Sequence, residues 1–172
     1  PYPELIRKIV LEPLGMTDTA IELSAAQRAR FAAPFTADLR PTSAWDFEAF
    51  AGAGAIRSTA PDMLEYLEAH LDPEKHPSLT SALKRSHELL GDNRDGSRIA
   101  YAWIYDSKSG TYWHNGGTGG FTSFAFFNPK GNYAGVVLVN VAIGPRGSFA
   151  DLLGHHIRQR FAGERAFSLD VW

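Results

Sequence analysis

The residues best equipped for chemistry stand together in Trp113-His114-Asn115-Gly116-Gly117-Thr118-Gly119-Gly120-Phe121. An imidazole exchanges protons near neutral pH, and a carboxamide both donates and accepts hydrogen bonds. Four glycines in five positions, lying between two stretches that read as strands, weaken a sheet. A two-residue hairpin turn needs only one or two of them. The plain reading is a flexible hairpin. The functional reading is a strand edge against which a ligand backbone lies, with a peptide N–H pointing into the site.

Other candidates weigh less. Ser81-Ala82-Leu83-Lys84 sets a hydroxyl and an amine one turn apart, but on a leucine-patterned helix where Lys84 reads as a solvated lysine. Ser58 and Thr59 are explained by helix capping. His155 and His156 diverge on a helix, His156 with the apolar face and His155 opposite, whereas helical metal ligands sit at i and i+4. His70, His76 and His87 stand singly near helix ends, and Asp62, Glu65 and Glu68 read as one polar helix side. The glycine-rich segment lacks the Lys-Ser/Thr of a phosphate loop, and neither a dinucleotide fingerprint nor a Gly-x-Ser-x-Gly elbow occurs. No metal or organic cofactor is implied. Cysteine is absent, which removes thiol nucleophiles and thiolate metal sites.

Composition narrows the partners. The 172 residues carry 17 Lys+Arg against 19 Asp+Glu, for a net charge of −2, and 44% are hydrophobic. That is globular composition with apolar mass for a core, and it lacks the basic excess of a nucleic-acid protein. No apolar run approaches the length of a membrane span. The chain has no Met start and no charged-then-apolar leader, so it is expected to open inside a mature domain. Localisation stays open between periplasmic or secreted and cytoplasmic.

The elements that must position the glycine-rich segment follow from periodicity. Residues 3–12 read as an amphipathic helix through Leu5, Ile6, Ile9 and Val10, stopped by Pro13. Residues 24–48 are loosely patterned and expected to be an irregular excursion that either lines a site or packs on something outside the chain. Thr59 is a plausible N-cap, with Pro61 in the first turn and Asp62 three residues on, for a helix buried through Met63, Leu64, Leu67 and Leu71. A second helix is expected at about 78–90, closed by Gly91-Asp92-Asn93. From residue 97 the period becomes two. Tyr101, Trp103 and Tyr105 alternate on one strand, 111–115 form a second, and 121–127 form a third with Phe124 and Phe126 on one face. Tyr133–Val141 is an apolar run expected to be buried on both faces. A final helix, 148–162, covers one face through Phe149, Leu152, Leu153, Ile157 and Phe161, and nothing obvious covers the other.

These segments carry a family resemblance. His114-Asn115-Gly116, followed by Thr118-Gly119-Gly120-Phe121, resembles the third active-site motif of the serine β-lactamase and penicillin-binding-protein superfamily, in the His-x-Gly form found in class C-like esterases and peptidases. Leu11-Glu12-Pro13-Leu14-Gly15-Met16-Thr17-Asp18-Thr19 is similar to the family's "EPLGMxxT" signature, and Ala51–Met63 resembles its "AGxLxSTAxDM" stretch. The three matches run in family order across about residues 3 to 161.

The resemblance implies an α/β (α+β) fold of the transpeptidase-like kind: an antiparallel sheet with a C-terminal helix and part of a helical subdomain. Residues 1–172 would be the C-terminal portion of one domain, with 1–95 mostly helix and loop and 96–165 the sheet and last helix. The family's Ser-x-x-Lys nucleophile and Tyr-x-Asn precede the "EPLGM" helix, so they would lie upstream of Pro1. The resemblance implies that Gly117 N–H completes an oxyanion hole and that His114 binds a substrate carboxylate or tunes the proton network. Asn115, Gly116 and Thr118 would hold the substrate, a small acyl compound. The N-terminal half, from the same gene or a second chain, is the implied partner. A neutral histidine in the lysine's place favours an esterase or peptidase over a dedicated β-lactamase. The alternative is a non-catalytic fragment or binding module that needs an N-terminal partner chain.

Overall fold

A computed structural model describes residues 1–170. Six strands lie side by side in sequence order, every neighbouring pair antiparallel. They are β1 (Gly91–Asp92), β2 (Arg98–Ile99), β3 (Ile104–Asp106), β4 (Thr111–Thr118), β5 (Phe121–Asn128) and β6 (Tyr133–Val139). Each link is short, and tight turns between neighbouring strands favour such a meander. The alternation expected along one strand of Tyr101, Trp103 and Tyr105 does not hold. Ala102 takes φ +58° and the Ala100 N–H donates to the Trp103 carbonyl at 2.8 Å. The chain therefore reverses between β2 and β3, leaving Tyr101 exposed and Trp103 buried.

Helix α5 (Phe149–Phe161) packs on one sheet face, its Ala150 buried with Phe124, Phe126 and Val137. Ser148 Oγ accepts the Asp151 N–H at 3.2 Å and caps the helix start. The other face is not bare, as the sequence reading had it. Helix α3 (Ala60–Leu71) lies there, burying Leu67 against Trp103 and Phe127, with Ala134 and Val136 of β6 beside them. Its start is as expected: Thr59 Oγ1 accepts the Asp62 N–H at 3.3 Å. Its buried face is rotated, however. Tyr66, Leu67, Ala69 and His70 turn inward while Leu64 is exposed, because the sheet beneath offers aromatic partners to Tyr66 and His70. The β6 run is likewise covered only in part, since Leu138 on the α3 side stays 42% exposed.

Four further corrections concern the polar residues and the first ninety positions. Asp62 is buried and accepts Thr19 Oγ1 at 2.6 Å and the Asp18 N–H at 2.9 Å, so it is not on a solvated helix side. His70 and His87 do not stand singly: their ring nitrogens are 2.8 Å apart. On α5 the two histidines are reversed, with His155 against Trp113 and Phe124 and His156 facing the Phe167 carbonyl. The helix expected over 78–90 is shorter: α4 spans Thr80–Ser86, after a 3₁₀ turn at Pro73–Lys75. Leu90 N–H donates to the Ile99 carbonyl at 2.7 Å and leads into β1, so the sheet opens before residue 96.

Helix α1 (Tyr2–Ile6) continues as a π-helical turn through Arg7–Leu11. Ile6 and Val10 join a small core of Leu11, Leu14, Met16, Ala69 and Leu83, whereas Leu5 and Ile9 remain exposed. The 24–48 excursion holds a helix, α2 (Ala25–Arg30), whose Ser24 and Gln27 side chains each accept the other's backbone N–H. That Ser-x-x-Gln box is a start signal. Beyond it, the Phe35 N–H donates to the Asn140 carbonyl at 3.1 Å and the Ala142 N–H to Phe35 at 2.9 Å, tying the excursion to the chain leaving β6.

Candidate active site

Strand β4 is longer than expected and runs through the first two glycines. β3 pairs with it only over Thr111–Trp113, whereas β5 pairs with it from Tyr112 to Thr118. From His114 to Thr118 the outer edge of β4 therefore has no strand beside it. His114, Asn115, Gly116 and Gly117 are exposed. A sheet edge of this kind presents free main-chain donors and acceptors to whatever lies alongside.

Side chains alternate across the sheet. Tyr112, His114, Gly116 and Thr118 fall on the α3 side, and Trp113, Asn115 and Gly117 on the α5 side. Trp113 stacks on Phe124 there at 5.3 Å, and a Cβ on Gly117 would meet Ile143 Cδ1 at 2.5 Å. Asn115 donates through Nδ2 to Asp151 Oδ2 on α5 at 2.9 Å. Its side chain is thus held against α5, and what it can offer toward the other face is backbone. His114 Nδ1 lies 2.7 Å from the Asn115 carbonyl oxygen. A carbonyl only accepts, so Nδ1 carries the hydrogen and Nε2 is the ring's acceptor.

The glycines divide by role. A Cβ on Gly119 would lie 2.4 Å from Trp45 Cδ1 and 2.7 Å from the Ser43 carbonyl oxygen, and one on Gly120 2.3 Å from Pro34 Cβ. Gly120 also takes φ +75°, a turn conformation that costs glycine little. These two make the β4–β5 turn beneath the 34–45 excursion. At Gly116 a Cβ would touch only Ser123 Oγ, at 3.2 Å. The sequence does not separate the two pairs, because the packing of the excursion is not written in the motif.

Along the α3 side of this edge runs a groove of about 680 Å³. Gly116, Thr118, Ser123 and Leu138 line it from the sheet, and Phe31, Trp45, Phe47 and the 51–59 stretch from the loops. Aromatic pairs stiffen its rim, Phe31 with Phe121 at 5.2 Å and Trp45 with Phe47 at 6.0 Å. Its cations are occupied: Arg30 pairs with Asp18, and Arg57 donates to the Ile21 carbonyl at 2.7 Å. Ser58 and Thr59 line it too, but Thr59 caps α3 and Ser58 shares a hydrogen bond with Thr19 at 2.7 Å. The excursion thus lines the groove, the first of the two roles expected of it. Trp45, Ser123 and Leu138 carry no motif that marks them for it.

Ser81 is exposed on α4 outside the groove, and Lys84 is ion-paired with Glu74. Among the described residues no cluster of three or more His, Cys, Asp or Glu could hold a metal, and no helix is long and apolar enough to cross a membrane. The arrangement can hold an extended acyl compound between an exposed strand edge and an apolar groove, with an imidazole at the edge.

A beta-lactamase family model matches residues 1–157. A human protein named "Putative beta-lactamase-like 1" is 39% identical over 70 residues, 41% of this chain and 14% of its own length. Among solved structures, a class C β-lactamase superposes with TM-score 0.73 at 20% identity, covering 84% of this chain and 47% of its own. A D-alanine carboxypeptidase from Burkholderia cenocepacia gives 0.76 at 21%, covering 84% and 51%. An octameric penicillin-binding-protein homologue from Pyrococcus abyssi gives 0.74 at 20%, covering 95% and 38%. The fold is thus the β-lactamase/transpeptidase-like one, and the chain spans about half or less of the proteins it matches.

Proposed function

The chain belongs to the beta-lactamase family, and on that premise we propose that it supplies the substrate-facing wall of a serine hydrolase working through an acyl-enzyme on an ester, amide or β-lactam. The observation that carries this reading is the uncovered β4 edge from His114 to Thr118 beside the groove. In the reaction, a serine oxygen adds to the substrate carbonyl and gives up its proton to a neighbouring base. The tetrahedral oxyanion collapses, the protonated leaving group departs, and water repeats the sequence on the acyl-enzyme. Gly117 N–H is the donor to the oxyanion. His114 tunes the proton network with Nε2 as acceptor, or binds a substrate carboxylate through Nε2–H when the ring carries a second proton. Gly116, Thr118 and the backbone of Asn115 hold the substrate.

The nucleophile comes from elsewhere than Ser81, whose position outside the groove favours that reading. Residues 1–172 form the C-terminal portion of one domain, completed by an N-terminal portion in the same protein or in a second chain. Exposed Tyr2, Leu5, Ile9 and Phe50 support an apolar seam for it, since exposed apolar surface marks a contact. With histidine in place of a fixed cation, and with Arg30 and Arg57 already engaged, an ester or peptide substrate is favoured over a dedicated β-lactam.

The test is an intact-mass spectrum after exposure to a fluorophosphonate probe. The expected adduct falls on a serine outside these 172 residues. An adduct on Ser81 overturns the reading, and a protein left unlabelled throughout favours a binding module.

A further inference from the structure

Asp151 sits in the first turn of α5 with its backbone N–H capped by Ser148, so its carboxylate is fixed in place relative to the helix. Its Oδ2 accepts from Asn115 Nδ2 at 2.9 Å. A second contact holds the same residue, the 2.7 Å bond from His114 Nδ1 to the Asn115 carbonyl oxygen. Asn115 is therefore gripped at both its side chain and its carbonyl, between the imidazole on one side and Gly116-Gly117 on the other.

That grip matters because of what surrounds it. Glycine loses more backbone freedom on ordering than any other residue, and β4 has no strand along its outer edge from His114 onward. Gly116 and Gly117 have no side chains with which to anchor themselves. The nearest side chain that can fix the strand is Asn115, and its partner is a charged acceptor, which makes the stronger kind of hydrogen bond. An acyl-transfer donor is effective only when preorganised toward the oxyanion, and small misplacements are costly.

We propose that Asp151 is a positioning residue: through Asn115 it fixes the orientation of the Gly116–Gly117 backbone and of His114 at the strand edge. This rests on the hydrolase reading above for its catalytic consequence, but the backbone order it imposes does not. Asp151 touches no substrate; it acts through the amide of Asn115.

The test compares Asp151→Ala, which loses the acceptor, with Asp151→Asn, which keeps a carbonyl acceptor and loses the charge. Amide hydrogen exchange of residues 114–118 and the rate of serine phosphonylation by a fluorophosphonate are followed in the full-length protein. Exchange at Gly116, whose N–H faces β5 when that of Gly117 faces the open edge, should rise about tenfold or more in Asp151→Ala and stay within about threefold of the parent in Asp151→Asn. Phosphonylation should fall about tenfold or more in the alanine variant and be largely restored in the asparagine variant, with unchanged probe affinity. Unchanged exchange in Asp151→Ala overturns the proposal, as does an equal loss in both variants, which would assign the effect to charge. Should Asp151→Ala fail to fold, Asp151→Asn beside Asp151→Leu decides by the same contrast. A parent protein that takes no probe refutes the hydrolase reading, while the exchange contrast still tests the role of Asp151.

Discussion

His70 Nδ1 and His87 Nε2 meet at 2.8 Å behind the sheet, joining the end of α3 to the end of α4. Phe127 packs against both rings, at 4.6 and 5.0 Å, with Tyr66 and Trp103 around His70 and Tyr112 against His87. One neutral ring donates and the other accepts; protonating the acceptor sets two N–H groups face to face.

This pair makes stability depend on pH. Burial, and then the charge of His87, takes His70 from 6.5 down to about 3, and burial lowers His87 as well. Above the unfolded value both states are neutral and the full stability is present. As pH falls below it, the unfolded chain binds protons that the folded one refuses, and stability drops by about 1.4 kcal/mol per pH unit through His70, with His87 acting in the same direction. His155, taken to about 4 by burial and then by Arg158, adds a smaller share. Urea titrations should show at least about 2 kcal/mol lost between pH 7.5 and pH 5. His70→Phe should flatten that slope by about one group. A slope unchanged by the substitution would remove His70 as its source.

The groove floor depends on a polar knot. Asp62 accepts from Thr19 Oγ1 and from the Asp18 N–H, and Thr19 in turn meets Ser58. Asp62→Ala leaves a buried hydroxyl and an N–H without their acceptor, and should cost about 2–3 kcal/mol in urea unfolding. Asp62→Asn, which retains one carbonyl acceptor, should cost roughly half of that. Equal losses would mean that the charge, and not the acceptor geometry, holds the knot.

Helix α5 approaches β5 through a glycine. A Cβ on Gly154 would lie 2.3 Å from the Phe124 ring, and Phe124 is fully buried. Neither the ring nor the helix can withdraw cheaply, so Gly154→Ala should destabilise by about 1–3 kcal/mol. Phe124→Leu in the same chain should recover part of that loss by freeing the space. Additive losses in the double variant would place the strain elsewhere.

Local signals were legible in the sequence where they are self-contained. The Thr59 cap, the β4–β5 hairpin and the β6 run each rest on neighbours a few residues apart. What periodicity missed depends on distant partners. Leu64 was assigned to the core by type, yet the aromatic surface of the sheet drew Tyr66 and His70 inward and rotated α3. His155 and His156 were exchanged because α5 is seated by Gly154 on Phe124, which no apolar count on the helix reveals. The motif His114-Asn115-Gly116 located the strand edge, but that Asn115 faces α5 follows from Asp151, 36 residues on.

Gly117 offers the sharpest test of the strand edge. A Cβ there meets only the tip of Ile143 closely, and Ile143 is 57% exposed and able to swing aside. Gly117→Ala keeps the backbone N–H and should cost about 1 kcal/mol or less in stability. Gly117→Pro removes that N–H outright. If Gly117 is the oxyanion donor, the proline variant should lose about 10²–10³-fold in phosphonylation by a fluorophosphonate in the full-length protein. The alanine variant should stay within about tenfold of the parent, and Ser81→Ala should match it. Circular dichroism at the assay temperature separates lost chemistry from lost fold. A folded proline variant that is phosphonylated at the parental rate would take the oxyanion hole away from this strand.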